Sequence, residues 1–307
     1  MLVEAAAIAA RLLQFSGAAL LAGGPLFFLY GPAPDPAARW PSRLVGVAAL
    51  AGALGGLVWL MAQTAQFEDS AQAAFDATKV WSVAAETGFG RATFLRLVLL
   101  VAGGAVCLNG QASPGRWRLL AALGALATAS FAWSGHGDQD EGVAGLIHQT
   151  GDVLHLLASS TWVGALACLS MLGWLAVRGV PGAGRDMIAG MSRFSGIGLA
   201  VVVVLGLSGL VNIWFVLTPR GLASIAAGVY SQLLLAKLAL FGAMLALAAA
   251  NRFRHTPALE LALKSGEPAA PAYRAATRSI LIETALALVV LALVSWLGTL
   301  APVAEPH

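Results

Sequence analysis

Apolar residues fall along this chain in long unbroken runs, with polar residues confined to short intervals between them. Runs near 5–30, 43–66, 91–111, 116–134, 145–176, 192–217, 229–250 and 278–300 each approach or exceed the roughly 20 residues that a helix needs to cross about 30 Å of hydrocarbon. The pattern predicts an all-α, polytopic membrane helix bundle with about eight transmembrane helices in a single integral-membrane domain, 1–307. The fifth run is too long for an untilted span, so its first turns are expected at the interface or leaning into the protein. Segment 70–88, "SAQAAFDATKVWSVAAETG", is too polar to span and reads as an amphipathic helix on the outside. The intervals 67–90 and 135–144 are the expected external loops, and Pro-rich "YGPAPDPAARWP" and "KSGEPAAPAYR" are expected connections on the inner side.

Composition narrows the class. Hydrophobic residues make up 59% and charged residues 11% of the 307 positions, with a mean hydropathy of +0.80, far from the balance of a soluble domain. The net charge of +3 comes from scattered loop residues rather than one basic face, so nucleic acid is not an expected partner. The lipid bilayer is. Cys107 and Cys168 both lie inside apolar runs, where core packing explains them better than a disulfide framework. The start "MLVEAAAIAARLLQF" has Glu4 and no Lys or Arg ahead of its apolar residues, and is expected to remain as the first span rather than be cleaved.

Orientation follows from the basic residues, because short loops rich in Lys and Arg stay on the cytoplasmic side. Alternate connections, beginning with the first, hold twelve of the 18 Lys and Arg residues, whereas the others hold only Lys79, Arg91 and Arg220. Both termini are therefore expected on the outer, periplasmic side, together with "GHGDQDEG", which contains His136.

Away from the ends of the runs lie five charged residues, Arg11, Arg96, Asp152, Lys237 and Glu283. Such groups are costly at membrane depth, by roughly 2.5 kcal/mol or more on insertion scales, and are functional candidates by default. The structural alternative is that Arg11, Arg96 and Lys237 snorkel to the outer boundary, and that Glu283 caps a helix or pairs with an inner-loop arginine. In "HQTGDVLHLLASSTW", His148, Asp152, His155, Ser159 and Trp162 follow the helical repeat and form one stripe. His148 and His155 lie about 10.5 Å apart along the axis, which suits successive stations for an ion better than one tetrahedral cage. His136 ends the preceding run on the same side and is positioned to approach His148. Met187 and Met191, one turn apart, would suit soft Cu(I), but fall in an expected inner loop, where ordinary packing is the competing explanation. Either Asp152 pairs with one of the intramembrane cations or the ligand is anionic. No P-loop, nucleophile elbow or zinc-protease helix is present, and an enzyme is not expected.

Several ordered motifs carry a family resemblance. "SGHGDQDEG", "HQTGDVLHLLASSTWVGAL", "RFSGIGLAVVVVLGLSGLVNIW", "YSQLLLAKLALFGAMLALAAANRF" and "ILIETALALVVLALVSWLGTLAP" together resemble the copper resistance D (CopD/PcoD) family of bacterial inner-membrane proteins. The resemblance is strong over 130–302 and looser before it. It implies a multi-pass protein of copper homeostasis and resistance that moves copper ions from periplasm to cytoplasm, often beside a periplasmic copper-binding partner. Carried over by position, it marks His155 and Trp162, with Lys237, Asn251 and Glu283 as further polar positions. The candidate metal set is then His136, His148, Asp152 and His155, with Trp162, Arg96, Lys237, Asn251 and Glu283 as other intramembrane candidates. Two alternatives stay open: a b-type haem redox protein whose cations hold propionates, and an accessory subunit without a ligand of its own.

Overall fold

The computed structural model describes residues 2–35, 37–108, 113–134, 142–217, 228–265 and 270–300. The helices in chain order are α1 (Leu2–Tyr30), α2 (Trp40–Phe67), α3 (Ala77–Glu86), α4 (Gly88–Leu108), α5 (Pro114–Ala129), α6 (Gly142–Val177), α7 (Ala183–Leu217), α8 (Val229–Ala250), α9 (Thr256–Ser265) and α10 (Ala270–Leu297). No strand occurs among the described residues. Seven helical segments are long and apolar enough to cross a membrane, so the chain is a polytopic all-α membrane bundle.

The fourth expected run is the exception. Its α-helix, α5, has 16 residues and continues as a 3₁₀ helix of 5 residues, Ser130–Ser134. The steeper rise of the 3₁₀ turn brings the composite to about 34 Å, enough to reach across hydrocarbon. The polar segment before α4 forms a short 3₁₀ helix, Ala71–Phe75, followed by α3. Asp76 caps α3 by accepting from the backbone N–H groups of Thr78 and Lys79, and Lys79 pairs with Glu68 at 2.6 Å, tying α3 to the end of α2. Most helices begin a few residues before the expected runs, and α7 and α10 begin a full two turns before them. The 36 residues of α6 measure about 54 Å, so it must tilt or project beyond the bilayer. Helix α7 begins at Ala183, which places Met187 and Met191 on a helix and not in a loop; both are buried in the main core.

Helix α1 lies at the centre, packed against α2, α5, α6 and α10. Its glycines allow this. A Cβ on Gly23 would fall 1.9 Å from the Ser160 carbonyl oxygen, and one on Gly164 would fall 2.2 Å from the Gly23 carbonyl carbon. The backbones of α1 and α6 therefore approach as closely as small-residue crossings permit in membranes. Gly17 and Gly52 do the same for α1 and α2. One apolar core then runs from Ala18 on α1 through Trp162 on α6 to Ala287 on α10.

Two arginines on α5 and α7 have a structural use at the C-termini of other helices, where the last carbonyls lack intrahelical partners and carry partial negative charge. Arg116 donates to the carbonyls of Val106 and Cys107 at the end of α4. Arg193 donates to those of Tyr30 and Gly31 at the end of α1. These clamps join helix ends on the side that the charge pattern assigns to the cytoplasm.

Candidate functional site

The intramembrane polar residues gather in two places, linked by the stripe on α6. The first is a partly open cavity of about 190 Å³. Arg11 and Gln14 reach it from α1, Arg96 from α4, Asp152 and His155 from α6, Asn212 from α7 and Lys237 from α8.

Arg96 does not snorkel. It is 1% exposed and spends its guanidinium on neutral acceptors. Its Nε donates to Ser130 Oγ at 2.9 Å, its Nη2 to the Ser130 carbonyl at 2.9 Å and Ser134 Oγ at 2.8 Å, and its Nη1 to Gln14 Oε1 at 3.3 Å. The guanidinium carbon also sits 3.6 Å from the Phe131 ring centroid. The 3₁₀ segment after α5 thus supplies most of the Arg96 cradle. Arg11 is partly buried, with its guanidinium 4.6 Å from the Trp59 ring centroid. Its Nε lacks a hydrogen-bond partner. Lys237 is partly buried on the cavity wall.

On α6, Asp152 Oδ1 accepts from Asn212 Nδ2 at 2.6 Å. His155 Nδ1 lies 3.1 Å from Ser208 Oγ, and the Ser208 hydroxyl donates to the Val204 carbonyl at 2.6 Å. The hydroxyl proton is engaged there, so the network assigns the imidazole proton to Nδ1 and leaves the Nε2 lone pair for a ligand. His148, two turns away, is buried and stacks on Phe215 with ring centroids 4.6 Å apart and planes 3° from parallel. Among the described residues, no three His, Cys, Asp or Glu side chains form a set able to hold a metal ion. His136 lies outside the described residues.

The second place is a buried carboxylate cluster. Glu283 is 2% exposed; its Oε1 accepts from Trp162 Nε1 at 2.8 Å and its Oε2 from Asn251 Nδ2 at 2.9 Å. Both partners are neutral, which corrects the expectation of an inner-loop arginine. Trp162 packs edge-on against Phe241, so its indole serves as a hydrogen-bond donor within the core. Asn251 opens a single π-helical turn, Asn251–His255, a distortion that often accompanies functional positions in helices. Three positions scattered from 162 to 283 thus meet in one hydrogen-bonded group.

Sequence reasoning missed Gln14, Ser130, Ser134, Ser208 and Asn212. Gln14 and Asn212 carried a usable signal, an amide inside an otherwise apolar run. The serines did not, because a membrane serine more often bonds its own helix, as Ser160 does to the Leu156 carbonyl. The second axial histidine that the haem alternative needs would be His136, which lies outside the described residues. His148 and His155 share α6, and His255 follows Lys237 by 18 residues, roughly 27 Å along the helix.

Comparison with known proteins supplies the family. Residues 1–146 match the family model described as "Copper resistance protein D-like, N-terminal domain", and residues 188–297 match "Copper resistance protein D". The chain is 33% identical over 305 residues to Copper resistance protein D of Pseudomonas syringae pv. tomato, covering 97% of each chain. It is 30% identical over 227 residues to Inner membrane protein YebZ of Escherichia coli (strain K12), covering 73% of this chain and 72% of that protein. No solved structure matches. The stripe from His148 to Trp162 lies between the two family models, yet the alignment with the Pseudomonas protein extends over nearly the whole chain, including the early spans that the motifs matched only loosely. The chain belongs to the copper resistance D family of membrane proteins.

Proposed function

We propose that this multi-pass protein carries copper ions across the bacterial inner membrane from periplasm to cytoplasm, along the face of α6 that bears His148, Asp152, His155 and Trp162. One observation carries the reading. In a copper resistance D family member, a column of polar side chains runs about 21 Å along one helix, most of the roughly 30 Å hydrocarbon thickness. It begins at His148, passes the Asp152–Asn212 and His155–Ser208 pairs, and ends at Trp162, Glu283 and Asn251.

Copper is cargo here, so each station needs to bind and release rather than enclose. His155 offers one imidazole lone pair with the ring fixed by Ser208, the outer-shell support that orients a metal-binding histidine. Asp152 supplies negative charge one turn away. His148, with His136, forms the outer capture point, and a periplasmic copper-binding protein is the expected donor. Glu283 lies beyond Trp162 and serves the conformational or proton-coupled part of the cycle. Without a nucleotide-binding loop in the sequence, movement is passive or driven by an ion gradient or the membrane potential.

The test is copper accumulation per folded protein, across a concentration series, in cells lacking other importers. His148→Ala should weaken accumulation at low external copper and leave it near normal when copper is abundant. His155→Ala should abolish it throughout. Unchanged accumulation in His155→Ala, at normal expression, would remove α6 as the path.

A further inference from the structure

The cavity between α1, α4, α6, α7 and α8 is poorly matched to a lone cation. Its wall carries Arg11, Arg96 and Lys237 against one carboxylate, Asp152, and Asp152 Oδ1 is already bonded to Asn212. Among the described residues the wall thus bears two surplus positive charges. Arg11 and Lys237 are each partly buried on this wall, where taking a charge out of water without a counter-charge is costly.

We propose that this cavity is a binding site for one small inorganic oxyanion of the phosphate or bicarbonate class. Arg11 and Lys237 supply the charge and the remaining donors of their guanidinium and ammonium groups, and Arg96, which makes four hydrogen bonds to Ser130, Ser134 and Gln14, adds to the positive field. A guanidinium presents planar, forked donors that match an oxyanion better than a spherical halide. The cavity's roughly 190 Å³ leaves room for such an ion with a few waters, each of which takes about 30 Å³ in the liquid. A bound anion would also offset the charge that a copper ion meets beside Asp152 and His155. The site stands apart from the transport reading, because anion binding is read on purified protein in the absence of copper.

The experiment is isothermal titration of the purified full chain, in a detergent buffer whose only anion is a bulky sulfonate, with inorganic phosphate, bicarbonate and chloride in separate arms. Phosphate or bicarbonate should bind at a single saturable site. Arg11→Gln and Lys237→Gln should each weaken that binding by about tenfold, the equivalent of one charge-assisted contact. Arg11→Lys keeps the charge and should bind within a few-fold of the wild type; it stands in if Arg11→Gln fails to give a monodisperse protein. No saturable oxyanion binding, saturation by chloride alone, or an affinity unchanged in both Arg11→Gln and Lys237→Gln would each overturn the assignment.

Discussion

Replacing Glu283 with glutamine separates the charge of the buried carboxylate from its hydrogen bonds. Both carboxylate oxygens accept, one from Trp162 and one from Asn251. In Glu283→Gln one oxygen remains for Trp162, and an amide nitrogen faces Asn251 Nδ2, donor against donor. Asn251 can resolve this. Its Oδ1 is buried and unpartnered, so a half-turn of the amide presents an acceptor to the new donor and restores two hydrogen bonds, while Nδ2 turns into the unpartnered position. One buried donor is then left unpaired, so the variant should lose about 1–3 kcal/mol. Glu283→Ala has no such remedy. It strands two buried donors, at about 1–3 kcal/mol each, and opens a cavity, for a total of roughly 3–6 kcal/mol. At roughly 2–4 °C per kcal/mol, the alanine variant should melt on the order of 10 °C lower and the glutamine variant by about half as much. Fluorescence-detected size exclusion after heating measures both under one protocol. If the carboxylate serves the transport cycle through its charge or its proton, Glu283→Gln should lose copper accumulation by about tenfold or more while remaining folded. A glutamine variant that melts as low as the alanine one would refute the amide-flip reasoning.

Gly164→Val should sharply reduce the yield of monodisperse protein, because its Cβ would meet the Gly23 backbone at 2.2 Å and the α1–α6 crossing has no side chain to yield. Gly196→Ala, with nothing within 4 Å of the new Cβ, should be neutral or slightly stabilising through helix propensity, in the same chromatographic assay. Reporter fusions after Glu141 and after His307 should be active only in the periplasm, and fusions within 178–190 or 255–275 only in the cytoplasm; the reverse pattern would invert the proposed direction of entry.

The sequence by itself determined the fold class, because hydrocarbon demands about 20 apolar residues per span and a membrane leaves the backbone little choice but helix. Spacing within one helix was equally legible. The 3.6-residue repeat placed His148, Asp152, His155 and Trp162 on one face, and the bundle buries or half-buries that face. Tertiary structure decided what local spacing cannot encode, namely which residue on another helix meets each of these. That Arg96 finds Ser130, Ser134 and Gln14 in place of water, and that Glu283 finds Trp162 and Asn251 in place of an arginine, depends on helix rotation and crossing. The close glycine contacts of α1 with α2 and α6 fix part of that geometry, and the packing of α10 against α6 and α8 fixes the part that Glu283 meets; packing, rather than any charge pattern in the sequence, sets the distance and register between helices.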